Sequence, residues 1–357
     1  MRRYETEVKT TRKVQVGDIA IGGGAPISVQ SMTNTPTADE SATLSQITAL
    51  SKAGCDLVRL AVTNEEEVAV CRRILAKTNV PLVADIQFDY RLAVACSDIG
   101  FQKVRFNPGN IGSEAGVKEL VHACKTNGTA IRIGVNGGSL QKDLLEKYGR
   151  TAEALAESAL MHAVLLEKFG FYNTVLSVKS SDVRTCIQAY TILHEKCDYP
   201  LHLGVTESGA KLAGIVKSSI GIGALLYNGI GDTIRVSLTG DPVSEAETAV
   251  RILQSLNLRK GAEIVSCPTC SRCGIDLAAL YGEVETMLRG VQKPVKVAVM
   301  GCTVNGPGEA ADADFGIAGG KNGKSVIFSK GEVLRTVSNE QIIPELQALL
   351  DEFLQNQ

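Results

Sequence analysis

The sequence carries little net charge. Lysine and arginine number 37 against 39 aspartate and glutamate, a formal balance of -2 at pH 7. No global field then favours nucleic acid or an anionic membrane, and any anion site must be built locally. No apolar run approaches the ~18 residues of a membrane span. The opening stretch, MRRYETEVKTTRKV, holds charges where a secretory signal would hold an apolar core. A cytoplasmic protein is expected, in which thiols stay reduced. Disulfides are therefore the weaker reading of the ten cysteines. Low-complexity segments and sequence repeats are missing too. So is a G-x-G-x-x-G following an early strand, which weighs against an open dinucleotide-binding sheet.

What is present is an alternation. Eight β-rich runs, ISVQSM (27–32), DLVRLAV (56–62), PLVADIQ (81–87), KVRFNP (103–108), AIRIGVN (130–136), NTVLSVK (173–179), PLHLGVTE (200–207) and DTIRVSL (232–238), are separated by helix-like stretches. SATLSQITALSKAG and EALAESALMHAVLLEKFG are two of these, each ending in the glycine that commonly stops a helix. Eight βα units in roughly 240 residues predict an α/β fold with a (β/α)8 barrel over residues 1–258; an open doubly wound sheet is the runner-up. VQVGDIAIGGGAP predicts a β-hairpin that plugs the barrel's N-terminal mouth. RKGAE (259–263) reads as a linker, and residues 264–357 as a smaller α/β domain. That domain is expected to hold a strand in VKVAVMGC, a Gly-rich loop in GIAGGKNGKS, a strand in SVIFSK and a final amphipathic helix.

Barrel interiors are usually filled by Val, Ile and Leu. Here Arg59, Asp85, Arg105, Asn107, Arg132, Asn136, Lys179, Glu207, Arg235 and Ser237 recur toward the C-terminal ends of the strands. Even spacing, as in Arg105 with Asn107 or Arg235 with Ser237, puts side chains on one face. If the apolar neighbours pack against the helices, this polar set points into the barrel mouth. Asp85 and Glu207 could each pair with an arginine in buried structural ion pairs. At least two arginines and Lys179 are then left over, and an unpaired buried charge costs several kcal/mol. A phosphorylated small molecule, with two phosphates rather than one, fits such a group, because the guanidinium fork matches phosphate oxygens.

Cys267, Cys270 and Cys273 follow one another at C-x2-C spacing, and Cys302 lies further on in MGCTVNGPGEA, seven residues before Glu309. Zinc on four thiolates, an iron–sulfur cluster on the same four, or a cluster on three thiolates and an oxygen all fit this pattern. Spacing leaves the three open. A ferredoxin run would place a further Cys where Leu277 stands, and a zinc knuckle would place a second Cys after Cys302. The second mismatch is the more serious, which favours iron–sulfur over zinc.

At this point one family comes into view. SCPTCSR followed by GCTVNGPGEA, with VQSMTNT, DLVRLAV, LVADI, KVRFNPGNIG, IRIGVNGGSL, LSVKSSDV, LHLGVTESG and GIGDTIRVSLTGDP, resembles the 4-hydroxy-3-methylbut-2-en-1-yl diphosphate synthase family over nearly the whole chain. The resemblance implies a TIM-type barrel, a C-terminal iron–sulfur domain and reductive opening of 2-C-methyl-D-erythritol 2,4-cyclodiphosphate. It implies one [4Fe–4S] cluster per subunit on Cys267, Cys270, Cys302 and Glu309, with Cys273 a bystander. Carried over motif by motif, Arg59, Arg105, Arg132, Lys179, Arg235 and Ser237 hold the substrate with Asn107, Asn136, Thr206 and Asn305. Asp85 and Glu207 position its hydroxyl and carbon end, Glu207 as acid or hydroxyl anchor, and Glu309 yields its place on iron during turnover. Many members carry His where Gln87 stands, so this position is not an obligatory proton donor. A ferredoxin or flavodoxin donor and a head-to-tail homodimer are implied as well. The competing expectations are a pterin- or corrinoid-type methyl-transfer barrel with an accessory iron–sulfur domain, and a zinc-stabilised binding module.

Overall fold

The computed structural model describes residues 9–106, 114–304, 306–320 and 322–356, without the side chains of Ser139 and Lys211. The chain divides between Arg259 and Lys260 into two compact units.

The first unit opens with an antiparallel hairpin of β1 (Val14–Val16) and β2 (Ile19–Ile21). Eight parallel strands follow: β3 (Ser28–Met32), β4 (Leu57–Ala61), β5 (Leu82–Asp85), β6 (Lys103–Phe106), β7 (Ala130–Asn136), β8 (Thr174–Lys179), β9 (His202–Leu203) and β10 (Thr233–Ile234). Their order is β8-β7-β6-β5-β4-β3-β10-β9, and a parallel bridge from Leu176 to Leu201 joins the two ends into a barrel. The last two strands are shorter than their apolar patterns suggest. Past Leu203, the inward-facing Gly204 lets the backbone approach Arg235 O and the Lys179 ammonium so closely that a Cβ would lie 2.7 Å from each.

Alternation divides the strands between two environments. Val29, Val58, Leu60, Leu82, Ala84, Val104, Ile131, Ile133, Leu176, Val178, Leu203 and Ile234 face outward into one core with the helices. Every second residue then faces the barrel axis. At the N-terminal end the inward set is apolar: Leu57, Val83, Ala130 and Val175 pack on Val14, Val16 and Ile21 of the hairpin, which plugs that end. Asp39, Asn64, Asp89, Thr151, Asp182 and Asp241 cap the N-termini of six of the surrounding helices, each accepting a backbone N–H of the first turn.

In the second unit β11 (Ala262–Ser266), β12 (Val295–Met300) and β13 (Phe315–Gly319) run parallel, and β14 (Lys324–Ser329) and β15 (Glu332–Ser338) complete the sheet antiparallel. Helices Leu277–Met287 and Ile342–Gln355 cover one face through Leu280, Val284, Leu346 and Leu350. Two expectations change here. The segment 259–263 is not a free linker: Arg259 is held by Asp56 at 2.8 Å, and β11 begins at Ala262. The Gly-rich loop begins as a buried strand, β13, because Gly316 lies where a Cβ would come within 2.5 Å of Ala298 O.

Candidate functional site

Inward parity brings the mouth residues together. Arg59 on β4, Asp85 on β5, Arg105 on β6 and Arg132 on β7 share the barrel's inner face with Lys179 at the end of β8 and Arg235 just past β10. Asp85, Arg105 and Arg132 are register partners on neighbouring strands. Arg105 donates to Asp85 at 3.1 Å, and Arg59 lies 3.8 Å from its other oxygen. The Met32 sulfur sits 2.9 Å from Arg59 Nη2.

Arg235 has a separate counter-charge, Glu245 on the helix Pro242–Ser255, at 3.2 Å. The buried Glu245 carboxylate also accepts from Ser31 Oγ and from the Leu238 backbone N–H, both at 2.9 Å. This residue was absent from the expected site. Glu207, expected as acid or hydroxyl anchor with an arginine pair as the alternative, lies exposed past β9 and makes no ion pair among the described residues. A signal for Glu245 was available: it falls in the buried phase of its helix with Pro242, Ala246, Ala249 and Leu253, where a lone carboxylate needs a partner.

The remaining cations have no such relief. Arg132 is 1% exposed, and its Nε and Nη1 find no hydrogen-bond partner among the described residues. Burial, with Arg59 and Arg105 nearby, pushes its pKa well down. A guanidinium does not surrender its proton readily, so the imbalance persists as uncompensated positive field. Lys179 is pushed well below its usual range by burial and by Arg235, Arg132 and Arg59. Burial brings Arg59 down to about 10 despite Asp85. Burial alone would raise the Asp85 carboxyl, but Arg59, Arg105 and Arg132 outweigh it and hold it below the carboxylate range. Five cations therefore share two buried carboxylates, an arrangement that calls for an anion from outside.

Other expected residues border this group. Asn136 is the register partner of Lys179, and its Oδ1 accepts the Gly138 N–H at 3.2 Å. Ser237 is one inward position beyond Arg235 and half-buried. Thr206 follows β9, its N–H donating to Ser180 O at 3.3 Å. Glu207 beside it has φ 52°, a left-handed conformation uncommon outside glycine and enriched at functional sites. Asn107 and Asn305 lie outside the described residues.

In the second unit, adjacent parallel strands deliver the thiols. Cys267 directly follows β11, and Cys302 lies two residues past β12. The Cys267 sulfur accepts the Gly301 N–H at 3.2 Å. Exposed Cys270 is shifted toward thiolate by hydrogen bonds from the backbone and side chain of Arg272. The Arg272 guanidinium pKa is in turn raised by its hydrogen bond to Cys270 and by the charges of Cys270, Cys302 and Glu309. The Cys273 thiol donates to Ile275 O at 3.2 Å and lies against Gly301, the residue whose N–H donates to Cys267. No three His, Cys, Asp or Glu side chains among the described residues converge as a metal site. In kind, three sulfurs and one carboxylate suit iron–sulfur ligation.

Two family models match the chain: the GcpE TIM-barrel domain over residues 11–250 and the GcpE protein C-terminal domain over residues 263–352. A 4-hydroxy-3-methylbut-2-en-1-yl diphosphate synthase (flavodoxin) from Clostridium perfringens is 53% identical over 345 residues, covering 96% of this chain and 99% of that protein. One of the same name from Maridesulfovibrio salexigens is 54% identical over 349 residues, covering 97% of each. Among solved structures, HPPK-DHPS A437G of Plasmodium falciparum with SDX-DHP has a TM-score of 0.52 at 12% identity, covering 69% of this chain and 50% of that one. That likeness shows the barrel fold and nothing further.

Proposed function

The chain belongs to the GcpE family, and from that premise we propose that it reductively opens and dehydrates 2-C-methyl-D-erythritol 2,4-cyclodiphosphate to (E)-4-hydroxy-3-methylbut-2-enyl diphosphate. The observation that carries this reading is the charge balance of the mouth, where Arg132 and Lys179 face inward without an ion-pair partner among the described residues. A cyclic diphosphate supplies the missing negative charge. Arg59, Arg105 and Arg235 arrive already aimed by Asp85 and Glu245, so less side-chain freedom is lost on binding. Asn136, Thr206 and Ser237 border the cations and offer hydrogen bonds to the ligand, and Asn107 and Asn305 complete the proposed set. Asp85 positions the hydroxyl and carbon end, and Glu207 protonates or anchors the departing hydroxyl.

The reaction needs two electrons that no side chain supplies. Cys267, Cys270, Cys302 and Glu309 would hold a [4Fe–4S] cluster, one per chain; when bound, it supplies electrons singly and a Lewis-acidic iron. Glu309 is the displaceable oxygen donor among three thiolates. The relatives' name points to flavodoxin as electron donor in preference to ferredoxin. A head-to-tail homodimer in the cytoplasm completes the proposal. The helix Lys211–Tyr227 exposes Leu212, Val216 and Ile220 along one side, a row that a second copy could cover. No described helix is long and apolar enough to cross a membrane.

Anaerobic purification tests the reading. A brown protein with about four iron and four sulfide per chain, turning over the cyclic diphosphate with reduced flavodoxin, is the expected result. Glu309→Ala should abolish turnover while the barrel stays folded. A colourless protein with one zinc, or a fully active Glu309→Ala variant, overturns it.

A further inference from the structure

Beneath the mouth lies a second polar tier that the reaction does not use. Four members sit one inward position deeper than a residue lining the mouth: Gln30 below Met32, Lys103 below Arg105, His202 below Gly204 and Thr233 below Arg235. Ser28 is the register partner of Thr233, which pairs in turn with His202. All five are buried, and Lys103 and His202 are 0% exposed. The Lys103 ammonium nitrogen, both His202 ring nitrogens, both Gln30 amide atoms and the Ser28 and Thr233 hydroxyls have no hydrogen-bond partner among the described residues. Buried polar atoms are rarely left in this state, and a cluster of them asks what satisfies it. Yet Val83 and Ala130, the register partners of Lys103, and Leu57, that of Gln30, belong to the apolar plug. An apolar residue at position 103 would therefore have had apolar company.

The charges facing this tier are of one sign. Lys103 meets Arg132 and Arg59, and His202 meets Arg132, Lys179, Lys103 and Arg59. Asp85, the one carboxylate of the neighbouring strands, is already engaged by Arg105 and Arg59. Glu245 is engaged by Arg235. On the diphosphate reading of the mouth, we propose that Lys103, backed by His202, is a second-tier positioning residue whose proton occupancy rises when a diphosphate binds above it. It acts through Arg132, which is one inward position above Ala130, the register partner of Lys103, and whose Nε and Nη1 have no hydrogen-bond partner among the described residues. Burial and the surrounding guanidinium groups hold the Lys103 pKa well below the usual lysine range in the empty site. An anion above Arg132 cancels part of that field and raises it. The proton is drawn from solvent and adds to the Nζ lone pair; no other bond changes. By linkage, a group whose pKa rises on binding takes up protons between its free and bound values, so affinity falls as pH rises through that window.

Isothermal titration of the anaerobic holoenzyme with inorganic pyrophosphate, in buffers of differing ionisation enthalpy, reads the uptake directly. Wild type is expected to take up more protons than Lys103→Met, by an amount approaching about one per chain. Its affinity should also fall more steeply with pH than that of the variant. Should Lys103→Met fail to fold, Lys103→Gln takes its place in the comparison, because Lys179 is also held low and wild-type uptake alone does not single out Lys103. Pyrophosphate binding with equal uptake in both proteins overturns this proposal and leaves the diphosphate reading intact. No pyrophosphate binding to wild type overturns both.

Discussion

The barrel mouth and the cysteine loops of the second unit are built on opposite principles. In the mouth the chemistry sits on strands: Arg59, Asp85, Arg105 and Arg132 are held by a parallel ladder whose register sets neighbours two residues apart at defined positions. The site is shaped, and its charge imbalance exists, before any ligand arrives. In the second unit the donors sit just beyond strand ends, exposed or half-buried, and no three of the described ones converge as a metal site. The sheet delivers the two cysteine segments to neighbouring strand ends, and bound metal must do the rest, since ligation and local ordering are coupled. One region carries the cost of its organisation in folding; the other defers it to cofactor binding.

Removing a thiol tests the deferred half and carries the largest expected effect. Cys302→Ser should reduce iron content and turnover to background, with the thermal transition of the barrel unchanged by calorimetry. Loss of the barrel transition as well would mean that the two units do not fold independently.

Next in size is Arg132→Met, aimed at the preorganised half. Losing a charge-assisted phosphate contact should lower kcat/KM by about 100-fold or more. The melting temperature should hold or rise, because an unpaired buried cation gives way to an apolar chain. A fall of several degrees would show that Arg132 is structural and that the imbalance is not held in reserve for a ligand.

Glu245→Gln should act more mildly. The amide oxygen can keep the bond from the Leu238 N–H and the amide NH2 can donate to the Ser31 hydroxyl oxygen in place of accepting from it, but the charge that aims Arg235 is gone. KM is expected to rise about 10-fold with kcat less affected, which is the signature of lost ground-state positioning. An unchanged KM would remove Glu245 from the site.

The smallest effect concerns acid stability. The Asp85 carboxyl is held below its unfolded value of about 3.9. Its stabilising contribution is therefore complete above that pH and lost as pH falls through the folded value. Urea midpoints of wild type should drop between pH 5 and pH 3 more than those of Asp85→Asn. Parallel declines would indicate that other carboxylates govern acid unfolding.

The outward half of each barrel strand was legible because burial against helices demands apolar residues at every second position, as in Val58 and Leu60 or Ile131 and Ile133. That same alternation exposed the polar half, so Arg59, Arg105, Arg132, Lys179 and Arg235 could be placed on one face before any coordinates. β11 and β15 were missed. β11 is only half-buried, and β15 is exposed along most of its length, so neither shows a clear alternation. β13 was hidden by its glycines, which serve close backbone approach.

The sequence by itself determined the barrel, the polar inner face and the presence of a sulfur-rich second unit, because each follows from residue spacing of two, or from C-x2-C. Only the tertiary structure decided the pairing. It gave Arg235 to Glu245, left Glu207 without an ion pair among the described residues, turned Cys273 toward Ile275, and set Lys103 and His202 beneath the mouth. A charge's partner depends on which elements meet in space, and that is decided by how helices pack on strands far away in the chain.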